Sequence, residues 1–224
     1  MNSLTVSERI FAKPRHERVL LAGPEGDIEV FVEPREEAVG VALIAHPHPL
    51  HGGTADNKVV TTLARALHEL GCHALRPNFR GVGASAGEHD RGDGEVDDLW
   101  AVHAYLSERF GDDLPVYLAG FSFGAFVTAG LAKRLADAGR PARRLILVGT
   151  AAGFVDGLRR YELEDVADDA IVIHGAEDAV VPLSDVLQWA APLELAVQVI
   201  PGADHFFHRK LHILRRVVHL AWKA

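Results

Sequence analysis

The stretch Val116-Tyr117-Leu118-Ala119-Gly120-Phe121-Ser122-Phe123-Gly124 decides how the rest of the chain is read. Val116 to Gly120 has the apolar character of a buried strand. Phe123 to Ala138 has the pattern of a helix, closed by Gly139. Between them lies G-x-S-x-G. A turn that sends a strand straight into a helix pushes its central residue toward strained backbone angles and leaves no room for side chains two positions away. Gly120 and Gly124 supply that room. The Ser122 hydroxyl is then exposed above the start of the helix, where negative charge is favoured. In a strand-turn-helix context the motif marks a serine nucleophile; the bland alternative is a tight turn with an incidental serine.

Working outward, the pattern alternates. Glu17 to Leu21 and Ile28 to Val32 read as an antiparallel hairpin around the turn Gly23-Pro24-Glu25-Gly26-Asp27. Val39 to Ala45 is a continuous apolar run, expected of a strand covered on both faces. Val59 to Leu70 reads as helix ending before Gly71, Cys72 to Leu75 as strand, and the polar, glycine-rich Arg80 to Gly94 as loop. Val96 to Phe110 is the next helix; Gly92-Asp93-Gly94-Glu95 and Asp97-Asp98 ahead of it and at its start read as a solvated loop and helix opening. Strands follow at Leu145 to Val148, Ile171 to His174 and Val197 to Ile200. Helices are expected at Leu183 to Ala190 and Phe207 to Trp222. Such alternation implies an α/β fold: a mostly parallel sheet with helices on both faces. The chain reads as one domain over residues 1–224.

In such sheets, reactive groups gather beyond the carboxyl ends of the strands. A serine needs a base, and the other strand ends supply candidates. Ile171 to His174 is followed by Gly175-Ala176-Glu177-Asp178. Val197 to Ile200 is followed by Pro201-Gly202-Ala203-Asp204-His205. The order is therefore Ser122, Asp178, His205, with gaps that fit intervening strand–helix units. Glu177 and Asp204 compete with Asp178 as the carboxylate that orients His205; the bland role of Asp204 is turn formation.

Composition narrows the field. Hydrophobic residues make up 48% and charged residues 24% of 224 residues, which is ordinary for a globular protein. A net charge of −8 argues against binding to a phosphate backbone, so no nucleic-acid partner is expected. No apolar run spans a bilayer, and Met1 to Lys13 lacks a signal-peptide core, so no membrane association and a cytoplasmic location are expected. The lone cysteine, Cys72, allows no internal disulfide and reads as a buried strand residue.

Five segments together carry a family resemblance: His46-Pro47-His48-Pro49, Asn78-Phe79-Arg80-Gly81-Val82-Gly83-Ala84-Ser85, the serine turn, His174-Gly175-Ala176-Glu177-Asp178, and Gly202-Ala203-Asp204-His205-Phe206-Phe207. In this order the chain resembles a cap-less member of the α/β-hydrolase superfamily, close to small bacterial serine hydrolases with a His-Pro-His-Pro segment. The resemblance implies a catalytic triad of Ser122, Asp178 and His205, its H-G-x-x-D pattern assigning the acid to Asp178. Acyl transfer needs two N–H donors for the oxyanion. Phe123, just after the serine, supplies one. The resemblance implies His48 as the second; Pro47 and Pro49 have no N–H to give, and Leu50 is the other nearby donor.

Thirteen histidines raise a rival. His46, His48 and His51 form H-x-H-x-x-H, near a zinc-binding pattern. Leu50 stands where that pattern has an aspartate, and two prolines interrupt it. No metal or other cofactor is therefore expected.

The expected activity is that of a carboxylesterase-like serine hydrolase acting on a small-molecule ester. Thioester, lactone or peptide cleavage on the same triad are the alternatives, with a non-enzymatic binding protein further off. Gly149 to Ala170 is too short for a cap domain. Phe121, Phe123, Phe154 and Phe206 are candidates for an apolar acyl pocket.

Overall fold

Along Gly40–Ala45 (β3), Val41, Leu43 and Ala45 pack into one apolar core while Ala42 and Ile44 pack into a second, and every residue is buried. The same two-sided division recurs in Val116–Phe121 (β5), Arg144–Val148 (β6) and Ile171–Gly175 (β9). It is the burial that a continuous apolar run requires. The structure, a computed structural model, describes residues 16–155 and 159–222. Met1 to Lys13, read above for a targeting signal, lies outside them.

Glu17–Gly23 (β1) and Gly26–Glu33 (β2) form an antiparallel hairpin in which Gly23 pairs with Gly26 across Pro24 and Glu25. With Cys72–Pro77 (β4) and Val197–Ile200 (β10), the sheet runs β1-β2-β4-β3-β5-β6-β9-β10. β2 meets β4 antiparallel, and every neighbouring pair from β4 to β10 is parallel. Lys58–Glu69 (α1) and Leu211–Ala221 (α5) cover one face; Asp93–Phe110 (α2), Phe123–Asp137 (α3) and Leu183–Ala190 (α4) cover the other. Among the described residues, no helix is long and apolar enough to cross a membrane. Cys72 is buried in β4, and burial pushes its thiol up to about 12.

Two expectations need correction. Helix α2 begins at Asp93, not Val96, and its opening is solvated only in part: Asp93 and Asp97 are exposed, Glu95 and Asp98 are not. Glu95 is fully buried and accepts from the N–H groups of Gly92 (2.7 Å) and Asp90 (3.0 Å). Asp98 is buried as well, its carboxylate taking two hydrogen bonds from Arg80. These acids face inward because the preceding loop folds back over them. At the other end, α5 starts at Leu211 rather than Phe207. Phe207 and Arg209 adopt φ of 53° and 59°, left-handed backbone that cannot propagate a helix. The Gly149 to Ala170 segment, expected to be too short for a cap domain, carries a small antiparallel hairpin, Gly153–Val155 (β7) with Arg159–Tyr161 (β8).

Candidate active site

Ser122 joins β5 to α3 with φ 57° and ψ −120°, a conformation that costs energy in a residue with a side chain. The packing around it holds it there. A Cβ on Gly120 would stand 2.4 Å from the Gly124 carbonyl oxygen, and one on Gly124 would stand 2.4 Å from that of His46. The chain thus passes backbone against backbone on both sides of the serine. The Ser122 N–H donates to Val148 at 2.9 Å, tying the turn to β6.

His205 follows β10 and Asp178 follows β9, so both reach the same sheet edge as Ser122. His205 Nε2 lies 3.0 Å from Ser122 Oγ, and His205 Nδ1 lies 2.7 Å from Asp178 Oδ2. An ionised carboxylate only accepts, so Nδ1 carries the proton and Nε2 is left to accept from the serine hydroxyl. The Asp178 side chain is wholly shielded from solvent. Phe121 lies under the imidazole, ring centroids 4.9 Å apart.

The competing carboxylates are elsewhere. Glu177 is exposed at the turn. Asp204 caps the following turn, accepting from the His208 N–H at 2.9 Å and lying 2.7 Å from His208 Nδ1. A residue missed in the sequence touches the acid: His174, buried in β9, has Nε2 3.4 Å from Asp178 Oδ2 and 3.0 Å from the Val181 carbonyl. Burial lowers its basicity. Its place in H-G-x-x-D was the available signal.

His46 closes the loop after β3. Its Nδ1–H donates to its neighbour Pro47 (2.7 Å), and its Nε2 accepts from the Phe79 N–H (2.9 Å). Burial pushes its pKa down to about 4, so the ring is neutral near pH 7. Both ring nitrogens are thus engaged in holding the loop. Nδ1 of His48 accepts from the Leu50 N–H at 3.2 Å, which occupies the rival oxyanion donor. Among the described residues, no group of three or more His, Cys, Asp or Glu is placed to hold a metal ion. The backbone N–H groups of His48 and Phe123 make no hydrogen bond among the described residues, and both residues border the cavity over Ser122.

That cavity measures about 380 Å³. Phe123 and Phe206 line it; Phe121 and Phe154 do not. Strand alternation explains both exceptions. Phe121, last in β5, turns its ring into the core beneath His205, and Phe154 in β7 points to solvent at 55% exposure while its neighbour Val155 faces the cavity. The hairpin also contributes Arg159 and Tyr161, which sequence reasoning missed; two three-residue strands leave too little periodicity to read.

Comparison with known proteins gives the family and the fold. The thioesterase domain family matches residues 50–218. An uncharacterized protein of Rickettsia prowazekii (strain Madrid E) is 32% identical over 204 residues, 86% of this chain and 83% of its own. An alpha-beta serine hydrolase homologue from Coxiella burnetii superposes with a TM-score of 0.79 at 41% identity, covering 91% of this chain and 96% of the other. A serine hydrolase without lid from Xanthomonas campestris superposes with a TM-score of 0.79 at 37% identity, covering 95% of each chain.

Proposed function

Because the chain belongs to the thioesterase domain family and has the α/β-hydrolase fold of lidless serine hydrolases, we propose that it hydrolyses small carboxylic esters through an acyl-enzyme. The observation that carries this reading is the continuous relay from Ser122 Oγ through His205 to Asp178 at 3.0 and 2.7 Å, opening on a cavity. In it, Ser122 Oγ attacks the acyl carbon while His205 Nε2 takes the hydroxyl proton. Asp178 holds the imidazole and stabilises its cation. The N–H groups of Phe123 and His48 receive the oxyanion. The leaving alkoxide departs with the proton from His205. Water, deprotonated by His205, then cleaves the acyl-serine and regenerates the enzyme. No cofactor enters these steps.

A thioester substrate is the second reading, favoured by the thioesterase domain match. The triad chemistry is the same, with a thiolate leaving in place of an alkoxide.

The test pairs a fluorophosphonate probe with matched substrates. Intact-mass analysis is expected to find one adduct on native protein and none on Ser122→Ala. p-Nitrophenyl butyrate and a butyryl thioester of N-acetylcysteamine then distinguish the two readings by kcat/KM. Turnover is expected to survive prolonged EDTA. Loss on chelation with recovery on Zn²⁺, or an unlabelled native protein beside a labelled control hydrolase, would overturn the serine mechanism.

A further inference from the structure

Arg159 stands in the wall of the cavity over Ser122; among the described lining residues there is no other Arg or Lys, and no Asp or Glu. This local positive charge sits in a chain of net charge −8. The Asp178 carboxylate, the nearest acid in the relay, is wholly shielded behind His205.

The guanidinium is held in place. Its Cζ lies 4.6 Å from the centroid of the Tyr161 ring and 5.8 Å from that of Phe126. Nη2 donates to the Arg91 carbonyl at 2.7 Å. Nη1 is shielded from water and has no hydrogen-bond acceptor among the described residues. Stacking on an aromatic face satisfies the face of the guanidinium, not its N–H edge. A guanidinium in the cavity wall with no Asp or Glu among the described lining residues favours an anion beside it in the cavity. The field of Arg159 also reaches His48. Burial above all, then the charges of His89, His51 and Arg159, pushes His48 down to about 4. His48 is therefore neutral near pH 7.

We propose that Arg159 selects substrates carrying a carboxylate near the scissile bond. This deepens the serine-hydrolase reading and rests on it. One unit of positive charge matches a monoanion; a phosphate dianion would leave a charge uncompensated in a partly enclosed space.

Two substrate pairs test the proposal, one for each side of the scissile bond. The p-nitrophenyl monoester of glutaric acid is compared with p-nitrophenyl pentanoate, and 3-carboxyphenyl butyrate with 3-carbamoylphenyl butyrate. In at least one pair, native protein is expected to favour the carboxylate in kcat/KM by about tenfold to a hundredfold, the range of a charge-assisted hydrogen bond. Arg159→Gln is expected to bring that ratio to about one, and Arg159→Lys to keep part of it. Arg160→Gln, at the neighbouring exposed residue paired with Glu162 (3.6 Å), is expected to leave the ratio unchanged. Because each ratio is read within one variant, a general loss of active protein cancels. If Arg159→Gln does not fold, salt titration of native protein replaces it: the preference is expected to shrink as ionic strength rises. No preference in either pair, a preference that survives Arg159→Gln, or, where that variant does not fold, a preference flat to salt overturns the proposal. Neutral-ester turnover and fluorophosphonate labelling in that case leave the serine-hydrolase reading standing. Absence of both removes the reading on which the proposal rests.

Discussion

Asp178 divides its carboxylate between two tasks: Oδ2 sits 2.7 Å from His205 Nδ1, while Oδ1 accepts from the N–H groups of Val180 (2.9 Å) and Val181 (2.8 Å). The backbone donors fix the plane of the carboxylate, and the carboxylate fixes the imidazole. Asp178→Asn keeps the shape but lets an NH₂ group face the ring, favouring the wrong tautomer. A loss in kcat on the order of 10² to 10⁴ is expected. Glu177→Gln and Asp204→Asn are expected to stay within a few-fold of native. Steady-state kinetics with a thermal melt of each variant checks this. A folded Glu177→Gln without activity beside an active Asp178→Asn would assign the acid wrongly.

Gly124→Ala introduces a Cβ 2.4 Å from the His46 carbonyl oxygen and 2.5 Å from that of Ala45. Both are backbone atoms at the buried end of β3, so α3 itself has to move. A destabilisation of about 1–3 kcal/mol is expected, with a kcat loss beyond it as the Phe123 N–H is carried away from its position. Urea titration and kinetics together measure the two effects. A variant with native Cm and native kcat would contradict the close approach.

His46 links stability to pH. Its folded pKa is held near 4 by burial, below the ordinary value of 6.5. Between about pH 6.5 and 4 the unfolded chain binds a proton that the folded chain does not, so stability falls as pH drops through this window and is complete above it. The shift corresponds to roughly 3 kcal/mol. His174, also lowered by burial, acts in the same direction. Denaturant titrations at pH 7.5, 5.5 and 4.5 are expected to show this fall, and His46→Gln, though less stable at pH 7.5, a shallower one. Equal slopes in the two proteins would rule out His46 as a source.

Glu95 is fully buried, accepts two backbone N–H bonds, and lies 2.7 Å from His89 Nδ1. Glu95→Ala leaves these donors unpaired at the start of α2, and a loss of about 2–4 kcal/mol is expected. His89 packs on His48 (4.6 Å) and Phe123 (5.3 Å), so KM is also expected to rise through a loosened cavity wall. Thermal melts and kinetics check both. Native stability in Glu95→Ala would place that side chain outside the core.

The residues around Ser122 were legible in the chain because their signals are local. A strand, two glycines and a helix in one short stretch specify the turn, since the steric demand at Gly120 and Gly124 falls on neighbours in sequence. The apolar runs of β3, β5, β6 and β9 likewise announce strands buried on both faces. The carboxyl ends of those strands announce where side chains can meet. What needed the tertiary structure were choices made between elements. Glu177 adjoins Asp178 and Asp204 adjoins His205 in sequence, and only the packing of β9 beside β10 decides which carboxylate reaches His205. Phe121 and Phe154 missed the cavity because one residue of register in a strand reverses a side chain's direction. Glu95 and Asp98 read as solvent-facing because charge is usually exposed, until the loop folding over them supplied their partners. Arg159 reached the cavity through a hairpin of two three-residue strands, whose position is set by the body it leans on rather than by any pattern of its own.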